Sequence, residues 1–390
     1  MENLGLTEKA EELFLSASHT HFAPMTAPGY KRVERSSDLS CADEGRKLKL
    51  PSWRAGGART IRRISGRWSR WCWNFFQLEI PERVKPRIPG MNICGREVKI
   101  KGRLCRIAQL DADDYKFLDD PEAALRELRK SGLRIDLFTF MQKLPETTPK
   151  YSYPMEWDSM AVLKVSTFEH WWTRQIRKNT RNKAKQAEKK GVVIREVAFD
   201  DTLARGICEI YNECPVRQER RFPHYGKSLE TVRELSATYL ASSVFVGAYV
   251  DDELVGFIKF VVDDTGTQAG MMHMISMIRH RDKSPMNALV AQAVRSCADR
   301  RISYLVCEKF AYGKKTQSTL SRFKERNAFE RIDIPRYYVP LTHWGSLALS
   351  IKLHHRLADR LPEPLAARLR ELRGAWYRRF QPESGVRVWR

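Results

Sequence analysis

A chain of 390 residues with 42% hydrophobic and 30% charged side chains can bury a core, which excludes wholesale disorder and a fibrous repeat. Its 69 Lys and Arg against 47 Asp and Glu leave a charge of +22, which attracts phosphate on nucleic acids, anionic membranes or small substrates. No run approaches the roughly 18 consecutive apolar residues of a membrane span, so a soluble protein is expected.

The first segment, 1–90, reads as a poorly ordered basic extension, because Gly56, Gly57, Pro81, Pro86 and Pro89 keep interrupting any periodicity. One island, 59–80, sets Trp68, Trp71, Trp73, Phe75 and Phe76 among arginines. That composition suits an anionic membrane surface or base stacking, or simply a loosely packed extension. Met91, where regular patterning begins, is a candidate first residue of the natural protein. Segment 91–165 then reads as a small α/β unit. It has a strand over 98–110, a helix that starts at Asp120-Pro121 and stops at Gly132, and strands over 134–141 and 160–165.

A third segment, 166–342, opens with a capping box from Ser166 to Glu169 and a basic helix running to about Lys190. A strand over 192–197 follows. Next come a helix bearing Leu203, Ile207, Ile210 and Tyr211 and another bearing Leu229, Val232, Leu235 and Tyr239. Strands over 244–250, 254–262 and 269–278, joined by Asp- and Gly-containing turns, make an antiparallel meander. Ser284-Pro285 caps a helix to about Arg301, followed by a strand over 302–306, a loop with Tyr312, a helix over 318–327 and a last strand through Tyr337, Tyr338 and Val339. Segment 343–390 reads as a helical extension, with basic amphipathic helices over 347–361 and 365–380 that either pack as a cap or make peripheral membrane contact.

The eight cysteines, 41, 72, 94, 105, 208, 214, 297 and 307, show no CxxC pairs and no interleaved His at zinc-ligand spacing, so no metal site is expected and free thiols in a cytoplasmic protein are. The N-terminus lacks a basic stretch followed by an apolar one, so secretion is not signalled.

The meander followed by helix, strand, helix and strand resembles the GNAT acyltransferase superfamily. The basic helix over 174–190, with eight Lys and Arg and one acid, looks like the opening of the acyl-transfer domain in Fem-type peptidyltransferases and exopolysaccharide-associated acetyltransferases. The fold this implies is α/β (α+β), a mixed and mostly antiparallel sheet flanked by helices, with 91–165 as a reduced first copy. The function it implies is N-acyl transfer from acetyl-CoA or another acyl-CoA to an amine on a small molecule, sugar or cell-envelope precursor.

By that resemblance the helix after the meander binds the donor's pyrophosphate, which places Arg279, Arg281, Lys283, Ser284 and Asn287 as cofactor-binding residues. A helix N-terminus favours anions through its unsatisfied N–H groups and dipole. The family's glycine-rich loop is missing here, however, and Pro285 has no N–H to donate. Where a tyrosine acid often sits, the chain has Phe323 and Lys324, and Tyr312 is the nearest phenol. A group is also needed to take the acceptor's ammonium proton. Candidates are His273 within Met271-Met272-His273-Met274, and His224 or Tyr225 within the Arg-, His- and Tyr-rich segment 217–227. Each has a plainer alternative, as a packed core histidine or an exposed turn. Two other functions stay open: aminoacyl transfer from charged tRNA, suggested by the basic helix, and a catalytically degenerate phosphate- or glycan-binding module.

Overall fold

The computed structural model describes residues 91–111, 116–217, 220–310 and 319–355, with isolated positions between 362 and 375. These residues belong to one of the two units into which the chain divides. The extension over 1–90 with its Trp-rich island, Tyr312, and most of the second C-terminal helix lie outside the described residues.

Strands β1 (Met91–Ile93), β2 (Arg96–Lys101) and β3 (Ile107–Leu110) open the fold. The single strand expected over 98–110 is thus a hairpin. Gly102 turns the chain with φ 90°, and a Cβ there would meet the Cys105 carbonyl oxygen at 2.1 Å, so only glycine fits. Helix α1 (Pro121–Lys130) starts where Asp120 accepts from Ala123 N–H and is followed by β4 (Leu137–Met141) and β5 (Met155–Lys164).

The next helix does not run unbroken to Lys190. Thr167, rather than Ser166, caps a short turn, and a π-helical stretch, Trp171–Gln175, ends at extended Ile176. Helix α2 (Lys178–Lys189) begins only after this break. The wider turn lets both Trp171 and Ile176 reach the core, and Trp171 Nε1 donates to the Asn327 carbonyl at 3.2 Å.

Strand β6 (Val193–Val197), helix α3 (Asp201–Asn212), the short pair β7 (Val216–Arg217) and β8 (Arg220–Arg221), and helix α4 (Leu229–Ser236) follow. Helix α4 stops before Tyr239, which is left-handed (φ 54°). The meander is β9 (Ser243–Val250), β10 (Glu253–Val262) and β11 (Gln268–Ser276). Its first turn is two residues long, with Asp251 and Asp252 both at positive φ, the geometry that matches strand twist. Helix α5 (Pro285–Asp299), β12 (Tyr304–Lys309), helix α6 (Thr319–Arg326), β13 (Glu330–Pro340) and helix α7 (His343–Ser350) complete the described chain. The amphipathic helix expected over 347–361 begins earlier, at a Thr342 cap, and ends by Ser350.

Eleven strands form one sheet in the order β1-β2-β3-β4-β13-β5-β12-β11-β10-β9-β6. Only β3–β4 and β11–β12 are parallel. The fold class is therefore the expected one, a mixed and mostly antiparallel sheet flanked by helices. Helices α2 and α5 share one apolar cluster with β9–β12, and α3 and α4 share another with β9–β11, so the meander is covered on both faces.

Candidate active site

Strand β11 pairs with β12 only at Gln268, Ala269 and Gly270. Beyond Gly270 the strands part: β12 runs on along β5, its partner on the other edge, as far as Lys309, while β11 stays with β10 through Ser276. Among the described residues, one edge of β11 has no strand partner there, which opens the sheet beside His273.

His273 faces helix α3. Across the sheet it stands opposite Lys259 of β10, which stands opposite Phe245 of β9. Tyr211, on the apolar stripe of α3, brings its hydroxyl to 3.4 Å from His273 Nδ1. His224, on the turn after β8, stacks on Tyr211 with ring centroids 4.4 Å apart and meets His273 edge-on at 6.0 Å. Both histidines are only 8% exposed. Phe222 and Phe257 close the surround. Two candidate histidines 49 positions apart in the sequence thus converge on one buried phenol, whose ionisation burial strongly disfavours. Tyr225, by contrast, is exposed on the same turn. Gly226 N–H is held by Asn212 at 2.8 Å, which fixes that turn to the end of α3.

Lys259 is fully buried and donates to the Ser236 carbonyl at 2.9 Å and to the Thr238 carbonyl. It thereby caps the C-terminal end of α4, where carbonyls have no intrahelical partner. Burial pushes its pKa down to about 8. A lone lysine in the apolar run Phe257-Ile258-Lys259-Phe260 was a signal available in the sequence. Tyr211 was legible only as a core residue of its helix.

Arg217 braces the site. Its buried guanidinium donates to Ser276 O at 2.8 Å, Ile210 O at 3.0 Å and Glu213 Oε2 at 2.8 Å. Glu213 in turn accepts from Ile278 N–H and Arg279 N–H at 2.7 and 2.9 Å. This arginine joins the end of α3 to the exit of β11.

The basic loop before α5 is partly self-satisfied. Arg279 pairs with Glu253, and Lys283 Nζ reaches the Lys190 carbonyl at 3.4 Å. Lys190 pairs with Asp282 at 3.5 Å. Ser284 precedes α5 in a left-handed conformation (φ 56°) and makes no side-chain cap. Asn287, 4% exposed, has its Oδ1 buried with no hydrogen-bond partner among the described residues. It lines a pocket with Asn179, Thr180 and Lys183 of α2, and with Phe323, Arg326 and Asn327 at the end of α6. Burial, and then the charge of Arg326, lower the Lys183 pKa. Two cations, side-chain amides and the N-terminal turn of α2 therefore converge on one concavity, an arrangement suited to an anion. Of these residues the sequence pointed to Asn287 alone; Lys183 was one charge among eight on a basic helix.

No protein-family model matches the chain, and no curated protein matches it in sequence. Among solved structures it is similar to L-PGS from Bacillus licheniformis, at 13% identity and TM-score 0.47 over 70% of this chain and 89% of that one. It is also similar to FemX, at 7% and 0.46 over 66% and 86%. A tandem GNAT protein from the clavulanic acid biosynthesis pathway matches at 10% and 0.37 over 63% and 78%. Among the described residues, no helix is long and apolar enough to cross a membrane.

Proposed function

We propose that the chain is an N-acyltransferase that moves an acyl group from a coenzyme A thioester to an amine. The observation that carries this reading is the parting of β11 and β12 after Gly270, beside buried His273. A strand edge without a partner offers backbone N–H and C=O groups to the amides of an extended acyl-pantetheine arm. The donor's phosphates fit the concavity of Lys183, Arg326 and Asn287, with Arg279 and Lys283 drawn partly into internal pairs.

In this reading His273 takes a proton from the acceptor's ammonium group, and the freed nitrogen lone pair attacks the thioester carbonyl. The C–N bond forms and the C–S bond breaks. The thiolate leaves with the electron pair and takes the second proton, which the attacking nitrogen sheds as the adduct collapses, while the imidazolium releases the first to solvent. Tyr211, at 3.4 Å from Nδ1, orients the ring, and His224 with exposed Tyr225 lines the acceptor's approach. A sugar or cell-envelope precursor suits so polar an approach.

Thiol release from acetyl-CoA across a panel of amines tests the proposal. His273→Ala should lower kcat by about 10²–10⁴-fold, the usual worth of a general base, while acetyl-CoA binding by calorimetry stays within about twofold. Unchanged turnover in that variant would remove His273 from the reaction. Salt-dependent binding of charged tRNA without binding of acetyl-CoA would transfer the reading to an aminoacyl donor.

A further inference from the structure

Helix α7 ends in a Schellman turn. Lys352 is left-handed (φ 57°), its N–H donates to Leu349 O at 3.0 Å, and Leu353 N–H donates to Ala348 O at 2.7 Å. Leu353 packs on the cluster of Cys105, Leu137 and Ala348, the apolar contact that usually accompanies this turn. The turn is thereby held against the sheet, and it delivers two successive histidines over β5. His354 and His355 both direct Nε2 at one oxygen of Glu156, at 3.1 and 2.8 Å. The three ligand atoms lie within 4.8 Å of one another. The His354 side chain is 2% exposed and its ring packs against Tyr338 at 4.6 Å. His355 at 33% and Glu156 at 36% leave one side of the cluster open to solvent.

We propose that Glu156, His354 and His355 form a zinc-binding site that pins the turn after α7 to strand β5. Ligand atoms bound at about 2.0–2.2 Å in a tetrahedron stand about 3.4 Å apart, so the two N···O separations need open by only about half an ångström to admit the ion. The donor set selects the metal class. Two imidazoles and one carboxylate suit Zn²⁺ and its transition-row neighbours, whereas Ca²⁺ and Mg²⁺ prefer all-oxygen shells. Both imidazoles aim Nε2 at the same carboxylate oxygen, so an ion set between them would replace two hydrogen bonds with three metal–ligand bonds. Three protein ligands leave a fourth position on the open side for water. None of these residues belongs to the acyl-transfer site, and the inference stands without that reading.

The test is calorimetric titration of ZnCl₂ into the untagged, chelator-stripped full chain, alongside His355→Ala and Glu156→Gln. His354 is left intact because its ring is buried. Wild type should bind one equivalent of Zn²⁺ that each variant binds at least about tenfold more weakly, and Zn²⁺ should raise Tm in wild type only. The free cysteines contribute equally to all three proteins and cancel in the comparison. Absence of binding by wild type, or retention of the equivalent in either variant, would overturn the proposal.

Discussion

At the scale of single residues, Lys259 shows how burial sets chemistry. Its ammonium lies in the middle of the sheet, with Phe245 at 5.4 Å and two helix-end carbonyls as acceptors. Burial lowers its folded pKa to about 8, against 10.5 for an exposed lysine. Between those values the unfolded chain binds more protons than the folded one, so this lysine makes stability rise with pH across that window. Below pH 8 both states are protonated and the full cost, about 3 kcal/mol, stands. Urea unfolding of wild type and Lys259→Met from pH 8 to 10.5 should show wild type gaining up to about 3 kcal/mol on the variant. Parallel curves for the two proteins would refute the assignment. A charged residue inside an apolar run was visible in the sequence. That its acceptors are Ser236 and Thr238 was not, because α4 ends there only when it packs on the meander.

At the scale of elements, the helix starts sit at short polar residues, although the expected caps Ser166 and Ser284 give way to Thr167 and to a left-handed turn with no side-chain cap. Asp120, Asp200, Ser228 and Thr342 each accept from the N–H three residues on, as short polar side chains do at helix starts. Patterning failed where packing overrode it. The run from Phe168 to Lys189 has helical periodicity, yet it breaks at Ile176 because burying Trp171 and Ile176 together needs a wider turn. Helix α7 depends on one glycine. A Cβ on Gly345 would come 1.9 Å from the Asp136 carbonyl oxygen, which is backbone and cannot move aside. Thr342 Oγ1 also donates to Asp136 Oδ1 at 3.0 Å, so the helix start and that loop are one joint. Gly345→Ala should cost about 3 kcal/mol in urea unfolding, as overpacking of a rigid contact does, and an unchanged midpoint would show that the helix docks otherwise.

At the scale of the whole molecule, sheet order couples distant parts of the chain. Strand β13 lies between β4 and β5, so these two strands, consecutive in the sequence, meet only through the last strand. A fragment over 91–165 would leave β4 without β13, and β5 without either neighbour. It should show no cooperative thermal transition by circular dichroism, whereas the full chain should. A cooperative transition in the fragment would disprove this dependence.

The sequence by itself determined most of the helices and strands, because caps, turns and apolar periods act over a few residues; the hairpin β2–β3 and the break before α2 came from packing. It also carried His224 and His273 as candidates by residue type alone. Only the tertiary structure decided that Tyr211 joins them, that Arg217 is spent as a brace and that Lys183 and Arg326 share a pocket. The physical reason is that a short-range pattern reports whether a side chain is buried and says nothing of what it is buried against. That partner is set by which strands close the sheet, and here β13 closes it from the far end of the described chain.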